Sequence, residues 1–541
     1  MTTGLQDSVY RQFAAAVEKH AERPFLRAPA VSTSTYSDSA IEYSYAAALL
    51  EVQKLVRAWH SVGVRPSDRV ALAYDSRLDV YLHLLALNAL GASLVPLNMV
   101  ASDEELAYFI AHSDTRMLTG ANEYLERLSS VSAASGAAVL SAGDLAAHFA
   151  AGNATPHAQG AEATEAALLY TSGTTGKPKG CMLSNRYFLT MGREYNALQA
   201  YCTINSDDRL LTPLPPNHMN ALATSFMAMM MCGGCVIQLD RFHPRSWWQT
   251  VREEKATVIH YLGVMPAILL TLPESDDDKV GSLVRFGFGA GSDPRHQSVF
   301  EKRFGFPLIE AWAMTESGGG GMIVANREPR HIGKRCVGQP IASMELRIVD
   351  KNDQDVPPGE DGELLVRHRS DDARYGFFSG YYKDEAATEA GWKGGWWHTG
   401  DVVRADDEGA IYFVDRQKNV IRRSGENIAA VEVEAALLSS DLVHNCAVTA
   451  VPDEIRGDEV FAFVVVSESR REAGELANAI FDHSAGKLTY FKTPGYIEFV
   501  DELPLTASQK VSRAEVKRLA RQAVEDGTAI DMRARKKRQS V

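Results

Sequence analysis

Short apolar runs alternate with amphipathic stretches from Arg69 onward, and the apolar runs recur as far as Glu310. Runs such as 70–73 and 93–97 have the length and composition of buried strands, and the stretches 78–90 and 104–111 carry apolar residues at helical spacing. Strands that alternate with helices predict βαβ units, in which helices cover both faces of a parallel sheet. The apolar runs continue at 209–213, 235–239, 257–261, 283–287 and 307–310. The predicted fold class is therefore α/β.

The pattern changes after Gly338. Short strand-like runs at 345–349, 362–366 and 410–414 are separated by turn-rich segments, which predicts a small antiparallel β subdomain. A smaller α+β unit follows Asp415, with strands predicted near 445–451, 459–466 and 496–500 and helices near 431–438, 471–483 and 513–524. We predict a large N-terminal domain at 1–414 with the β subdomain at about 338–414, a hinge at 415–419, a small mobile C-terminal domain at 420–525 and a basic tail at 526–541.

Composition and charge argue against a nucleic-acid-binding protein. The chain has 541 residues, is 45% hydrophobic and carries a formal net charge of −13, which argues against a nucleic-acid-binding surface. Its only basic cluster lies in the tail, most simply interpreted as a solvated terminus. That cluster consists of Arg533, Arg535, Lys536, Lys537 and Arg538.

No segment of the sequence predicts secretion or integral membrane association. The N-terminus lacks a basic region followed by an apolar stretch. The uncharged segment 219–238 is interrupted by polar residues and glycines, so it predicts a buried helix and a glycine turn into a strand at 235–239. Six cysteines, scattered except for the CGGC pair Cys232 and Cys235, do not form a disulfide framework, which favours a reducing, cytoplasmic compartment. We interpret that pair as packing cysteines that flank a turn, with a metal or redox role as the alternative.

The segment 170–180, YTSGTTGKPKG, has the chemistry of a phosphate-binding loop. It follows an apolar run at 166–169 and leads through Ser184, a predicted N-cap, into a helical pattern at 186–201. Its backbone N–H groups, hydroxyls and lysines are phosphate ligands. A Walker loop is excluded because only two residues separate Gly173 from Gly176. The candidate nucleotide-binding residues are Thr171, Ser172, Gly173, Thr174, Thr175 and Lys177.

This loop resembles the signature loop of the adenylate-forming superfamily, which comprises acyl-CoA synthetases, luciferases and peptide-synthetase adenylation domains and activates carboxylic acids as acyl-AMP. Three further segments resemble the superfamily's motifs in their order. They are EAWAMTES at 310–317, WWHTGD at 396–401 and DRQKNVIRRSGENI at 415–428. The resemblance covers essentially the whole chain and looks closest to the carnitine- and crotonobetaine-CoA ligase branch.

The segment 310–317 follows the end of an apolar strand, where open α/β sheets bind ligands. Trp312 could stack on a purine, Thr315 could donate to a phosphate and Glu316 could bind Mg²⁺. Trp312 and Ala313 replace the usual Tyr-Gly of the family. Because acetate-activating members have tryptophan at the position of Ala313, the resemblance implies an acid larger than acetate. The remaining candidates in this motif are Glu310, Ala311 and Met314.

The other motifs receive their roles from the resemblance. Asp401 would accept the ribose hydroxyls, Arg416 would help to hold the ribose, and Lys418 would be the hinge. The segment 424–427, with Gly425, Glu426 and Asn427, would meet the active site in the thioester-forming pose. A plain linker is the alternative for this charged connector. Lys510 would be the catalytic lysine and would bridge the substrate carboxylate and the α-phosphate. Gln509 stands where the family has glycine.

Two further segments match the superfamily near the acyl group. His218 in PPNHMNA matches a histidine that borders the acyl pocket, and a hydrogen-bonded core histidine is its alternative. The run 287–294, GFGAGSDP, matches the loop between the adenine and the acyl group. Its candidate residues are Gly289, Ala290 and Gly291, and the glycines would permit close backbone approach.

The resemblance implies an AMP-forming acyl-CoA synthetase that uses ATP, Mg²⁺ and coenzyme A. The small-molecule carboxylic acid stays unidentified, a homodimer stays open, and no nucleic-acid partner is expected. One alternative is an adenylating enzyme that hands its acyl group to a carrier protein or an amine. Another is a catalytically inactive nucleotide-binding homologue.

Overall fold

The computed structural model describes residues 7–150, 161–171, 178–292, 294–416, 420–466, 472–504, 511 and 513–537. The strands are β1 Pro24–Ala28, β2 Ile41–Ser44, β3 Arg69–Ala73, β4 Ser93–Pro96, β5 Met117–Gly120, β6 Ala138–Leu140, β7 Glu165–Thr171, β8 Lys179–Ser184, β9 Arg209–Thr212, β10 Cys235–Gln238, β11 Val258–Leu262, β12 Phe286–Ala290, β13 Leu308–Trp312, β14 Ile323–Val324, β15 Cys336–Pro340, β16 Met344–Val349, β17 Asp361–His368, β18 Gly380–Tyr381, β19 Trp397–Ala405, β20 Ile411–Arg416, β21 Val420–Arg423, β22 Glu426–Ala429, β23 Val443–Asp453, β24 Gly457–Val466, β25 Tyr496–Phe499 and β26 Ile530–Asp531.

The α-helices are α1 Val9–His20, α2 Ala30–Thr33, α3 Tyr45–Ser61, α4 Asp79–Ala89, α5 Asp103–His112, α6 Leu125–Ser132, α7 Ala142–Ala146, α8 Asn185–Ala197, α9 Phe226–Cys232, α10 Trp247–Glu253, α11 Val264–Thr271, α12 Pro294–Phe304, α13 Glu385–Gly391, α14 Ala430–Leu438, α15 Ala473–Ala485 and α16 Arg513–Asp526. The elements form two units. The first comprises Met1–Asn98, Ile110–Leu169 and Gly180–Asp415, and the second comprises Met99–Phe109, Tyr170–Lys179 and Arg416–Val541.

The first unit contains the predicted parallel sheets. A 13-stranded hydrogen-bonded path has the order β16-β17-β19-β20-β15-β14-β13-β12-β11-β9-β10-β1-β2, and the strands from β13 to β1 in it pair in parallel. A second, seven-stranded sheet has the order β18-β8-β7-β4-β3-β5-β6. Non-consecutive neighbours require crossover connections, and helices provide them. The predicted α/β class is confirmed.

The predicted antiparallel strands after Gly338 are present, and they continue the large sheet. β16 pairs antiparallel with β17, β17 with β19, and β15 with β20. The link to the parallel strands runs through β14, which pairs antiparallel with both β13 and β15. The chain therefore changes from parallel to antiparallel pairing directly beside β13, the strand that carries the 310–317 motif.

Local sequence signals explain several element ends. Ser184 Oγ accepts the backbone N–H of Tyr187, so the predicted N-cap of α8 is confirmed. Gly233 ends α9 in the left-handed region, at φ +81°, and the chain turns into β10 as predicted. The strand predicted at 283–287 was placed too early: Val284 N bonds to Val280 O in a turn, and the strand begins at Phe286. No helix within the described residues is long and apolar enough to cross a membrane.

The second unit has a six-stranded sheet in which β24 is central, with β21, β23 and β25 as its partners. A buried cluster of charged side chains links the segment Met99–Phe109, which belongs to this unit, to its C-terminal residues. Lys492 Nζ lies 2.7 Å from Glu105 Oε1 and 2.5 Å from Glu432 Oε1, and all three side chains are nearly inaccessible to solvent.

The interpretation of the basic tail as a solvated terminus was wrong for Lys536, whereas Arg533, Arg535 and Lys537 are exposed, as that interpretation expects. Lys536 is buried against Glu459, and Arg535 bonds to Asn478 and Asp482. Sequence alone could not show this, because the acidic partners lie more than 50 positions away in the chain.

Candidate active site

Two of the predicted site segments lie side by side at the carboxyl ends of β12 and β13. The strands pair in parallel, and Gly289 stands opposite Glu310. The backbone is tightly packed here, since a Cβ on Gly289 would lie 2.2 Å from Tyr261 O. Glycine is therefore required at position 289 by the packing of the sheet itself, and its predicted place between the adenine and the acyl group stays a prediction. The carboxyl edge of a parallel sheet is where α/β proteins bind ligands.

Glu310 fastens the loop that follows β12. Its carboxylate accepts the backbone N–H groups of Gly291 (2.8 Å) and Ser292 (3.2 Å) and the hydroxyl of Tyr261 (2.6 Å). Burial raises the pKa of Tyr261 well above its ordinary value, and the neighbouring Glu310 carboxylate adds to the shift. Glu310 therefore holds the loop after β12 in place at Gly291 and Ser292, and its predicted contact with the nucleotide stays a prediction.

Trp312 and Asp401 meet directly. The indole Nε1 donates to Asp401 Oδ2 at 2.8 Å, although the two residues are 89 positions apart. Trp312 is 5% exposed and Asp401 is completely buried. The backbone N–H of Asp401 donates to Thr399 Oγ1 at 3.0 Å, and Gly400 forms the turn with φ +67°. The structure thus joins the residue predicted to contact adenine to the residue predicted to hold ribose.

Glu316 lies in a buried aromatic setting. Tyr381 Oη donates to Glu316 Oε1 at 2.7 Å, and the carbonyl oxygen of Glu316 accepts the N–H of Phe378 at 3.0 Å. Burial, followed by the charge of Glu316, raises the pKa of Tyr381. Tyr187 is fully buried nearby; within the described residues its hydroxyl has no hydrogen-bond partner, and burial raises its pKa. The protein therefore holds this carboxylate in place through a tyrosine.

The rest of the 310–317 motif forms a turn after β13. Ser317 Oγ accepts the N–H of Met314 at 3.1 Å. Ala311 is buried, Met314 and Thr315 are half-buried, and Ala313 is exposed. The exposure of Ala313 leaves its predicted place in the acyl pocket a prediction.

His218 lies just before a π-helix, Asn220–Ser225, and is half-buried. A second histidine, His260 on β11, is fully buried behind this segment. Tyr195 Oη lies 2.9 Å from His260 Nε2, and Ser225 Oγ lies 2.8 Å from Nδ1. A neutral ring with its proton on Nδ1 satisfies both contacts, and burial lowers the pKa of His260 to about 3. His260 therefore supports the segment after His218 as an uncharged group.

In the second unit, Gly425 and Glu426 lie at a tight hairpin between β21 and β22. Ser424 and Gly425 have φ values of +52° and +87°, so both turn residues are in the left-handed region. Asn427 pairs with Arg422 in the strand register. Arg416 ends β20.

Several predicted residues lie outside the described part of the chain. Thr171 is described as the end of β7. Ser172, Gly173, Thr174, Thr175, Lys177, Lys418 and Lys510 lie outside it, as do the side chains of Arg416 and Asn427.

Sequence reasoning missed Tyr261 and Tyr381. Tyr261 lies at the end of the predicted strand 257–261, so its place at the carboxyl edge was an available signal. No local pattern distinguishes Tyr381 from the adjacent Tyr382. Its hydrogen bond to Glu316, 65 positions away, depends on the tertiary fold.

The chain belongs to the AMP-binding enzyme family, whose profile matches residues 13–382, and the profile of the AMP-binding enzyme C-terminal domain matches residues 432–510. It is similar to a crotonobetaine/carnitine–CoA ligase of Salmonella arizonae, with 28% identity over 492 residues that cover 88% of this chain and 93% of the relative. The predicted superfamily and its carnitine- and crotonobetaine-CoA ligase branch are confirmed as the chain's relatives.

Two solved structures share the fold. One is an o-succinylbenzoate CoA synthetase from Bacillus subtilis, with a TM-score of 0.81, 24% identity, and coverage of 94% of this chain and 98% of that one. The other is an amide bond synthetase from Marinactinospora thermotolerans, with a TM-score of 0.80, 24% identity, and coverage of 94% and 99%. Because the two differ in the bond they make, the shared fold does not identify the acyl acceptor.

Proposed function

We propose that this enzyme is an ATP-dependent carboxylate–CoA ligase for an acid larger than acetate. The observation that carries the proposal is the hydrogen bond between Trp312 and Asp401 at the carboxyl edge of the large sheet. A buried carboxylate with a fixed orientation is suited to accept two ribose hydroxyls. The named CoA-ligase relatives, which match 88% of the chain, support coenzyme A as the acceptor.

The first half-reaction joins the acid to AMP. A carboxylate oxygen attacks the α-phosphorus of ATP, the bond from that phosphorus to the bridging oxygen breaks, and pyrophosphate leaves with the electron pair. The protein's work in this step is positioning and charge neutralisation. We assign ribose binding to Asp401, phosphate contacts to Thr315 and the loop at 171–177, and charge compensation to Lys510.

Glu316 fits the chemistry of a magnesium ligand. Mg²⁺ prefers carboxylate oxygens and is commonly held by one or two of them together with substrate phosphates. Bound there, Mg²⁺ would neutralise phosphate charge, and Tyr381 would keep the Glu316 carboxylate oriented.

The second half-reaction transfers the acyl group. The sulfur of the CoA thiolate forms a bond to the acyl carbon, the carbon–oxygen bond to AMP breaks, and AMP leaves with the electron pair. We propose that the β21–β22 turn, with Gly425, serves this step and that Lys418 is the hinge.

Pyrophosphate release, measured with CoA present and absent, tests the proposal. We use a panel of straight-chain, aromatic and betaine-type acids and expect acid-dependent pyrophosphate release, with acyl-CoA and AMP formed only when CoA is added. Acyl-AMP that reacts with amines or carrier proteins and not with CoA would establish the alternative acceptor. ATP binding without pyrophosphate release for any acid would favour an inactive homologue.

A further inference from the structure

The C-terminal segment, residues 530–537, is folded into the second unit. β26 pairs antiparallel with β25, and the N–H of Met532 donates to Gly495 O at 2.9 Å. The guanidinium of Arg533 lies 4.8 Å from the ring centre of Tyr496 and bonds to Asp531. Strand pairing and side-chain contacts therefore bring the residues that follow to a defined place.

Lys536 is fully inserted at that place. Its side chain is 0% exposed, and Nζ lies 2.5 Å from Glu459 Oε1, 2.5 Å from Thr493 O and 3.2 Å from Phe491 O. A lysine ammonium has three N–H donors, and each has an acceptor here. The segment thus ends in a specific buried contact.

The acceptor Glu459 is shared with a second cation. Arg423 Nε lies 2.8 and 2.9 Å from the two carboxylate oxygens, and both side chains are almost completely buried. A Cβ on Gly495 would lie 2.4 Å from the carboxyl carbon of Glu459, so glycine is needed there to admit the carboxylate. Lys536, Glu459 and Arg423 form what we call the tail cluster.

The tail cluster adjoins the β21–β22 turn through Arg423. Arg423 is the last residue of β21 and is followed by Ser424 and Gly425, the two residues with positive φ. The N–H of Ser424 donates to Arg456 O at 2.9 Å, and Arg423 pairs with Gly457 in the strand register. Arg423 therefore fixes where the turn begins, and Glu459 fixes Arg423.

A contribution to stability does not by itself explain why the side chain of Lys536 is buried. Burial lowers the pKa of Lys536 to about 7, and Arg423 acts in the same direction while Glu459 opposes it. Burying a second cation beside Arg423 is therefore unfavourable for the charged form of Lys536. Buried ionic groups of this kind are weak sources of stability and can instead fix one geometry.

We infer that Lys536 is a positioning residue for acyl transfer to coenzyme A, holding Glu459 and Arg423 so that the turn at 424–425 keeps its place. This inference rests on the proposed function, because it assigns the turn to the CoA step. The side chain of Lys536 is completely buried, so it is not accessible to a substrate. Its removal therefore disturbs the second half-reaction and spares the first.

The test compares Lys536→Met with Lys537→Met in the full-length enzyme. Lys537 is the next residue and is exposed, so it is a matched control for loss of one tail charge. Adenylation is followed as pyrophosphate release without CoA, and transfer as acyl-CoA formation from supplied acyl-AMP, both with the best acid of the panel. For Lys536→Met we expect kcat for transfer to fall about tenfold or more and adenylation to stay within about twofold of wild type. Lys536→Gln, which keeps two amide donors, should fall between wild type and Lys536→Met.

Four outcomes would overturn the inference. Transfer at the wild-type rate in Lys536→Met would show that the turn does not depend on the lysine. An equal loss in both half-reactions, or failure of both Lys536 variants to fold, would assign the tail cluster to stability alone. A wild-type enzyme that makes acyl-AMP but transfers nothing to CoA would refute the proposed function itself. CoA transfer by the wild-type enzyme is therefore measured before the variants are compared.

Discussion

Replacing Trp312 with phenylalanine removes the hydrogen bond to Asp401 and keeps an aromatic ring for the predicted adenine contact. The phenyl ring keeps an aromatic group in the site, but it has no N–H to donate to Oδ2, which lies 2.8 Å from Nε1. Asp401 is completely buried, so water cannot easily replace the lost donor. The Asp401 carboxylate, to which we assign ribose binding, should therefore lose its fixed orientation.

The magnitude follows from the charge of the acceptor. A hydrogen bond to a charged group contributes about 1.5–3 kcal/mol. The smaller ring also leaves space, at a cost of about 1–2 kcal/mol in the free energy of unfolding. If the orientation of Asp401 serves ribose binding, the energy of the hydrogen bond sets the loss in ATP-binding free energy. The dissociation constant of ATP should then rise by about ten- to a hundredfold.

Trp247→Phe is the matched control for the loss of ring volume. Trp247 is 1% exposed, and its Nε1 has no hydrogen-bond partner within the described residues. Both variants should lose stability in thermal unfolding, but only Trp312→Phe should bind ATP more weakly in titration calorimetry and show a raised KM for ATP in pyrophosphate release. An unchanged ATP affinity in a folded Trp312→Phe enzyme would refute the assignment of Asp401 to the ribose through this contact.

Three further variants test other parts of the site. Tyr381→Phe should raise the Mg²⁺ concentration that half-saturates pyrophosphate release by about tenfold, because Glu316 loses a donor that orients it, whereas Tyr382→Phe should not; equal responses would contradict this role. Lys510→Ala should slow adenylation and largely spare CoA transfer from supplied acyl-AMP, and an equal loss in both steps would remove the assignment. Ala313→Trp should exclude longer acids, because the indole would fill the space that a longer acyl chain occupies. At about 0.8 kcal/mol per methylene, the ratio of kcat/KM for two- and six-carbon acids should change by the equivalent of about 3 kcal/mol. An unchanged kcat/KM profile for acids of two to eight carbons would show that Ala313 does not line the acyl pocket.

The sequence predicted features that depend on local chemistry. The N-cap at Ser184 and the turn at Gly233 were correct because a side-chain oxygen or a left-handed glycine determines each of them within a few residues. The strand predicted at 283–287 was displaced because apolar Val284 is buried in a turn, and hydrophobicity alone does not separate the two conformations.

Contacts between distant segments could not be predicted in the same way. The bond from Trp312 to Asp401 depends on how the β13 and β19 ends are arranged, and the burial of Lys536 depends on the pairing of β26 with β25. Both require the tertiary fold. Motif resemblance named Trp312 and Asp401 separately, but it gave no reason to expect that they touch.

Isotope transfer from the carboxylic acid to AMP tests the central claim most directly. The best acid of the panel, labelled with ¹⁸O in its carboxylate, is incubated with ATP and CoA, and the AMP is analysed by mass spectrometry. Because a carboxylate oxygen bonds to the α-phosphorus and stays there when CoA takes the acyl group, the account predicts one ¹⁸O atom in each AMP and unlabelled pyrophosphate. Unlabelled AMP, or label in inorganic phosphate with ADP as the product, would contradict an acyl-adenylate intermediate.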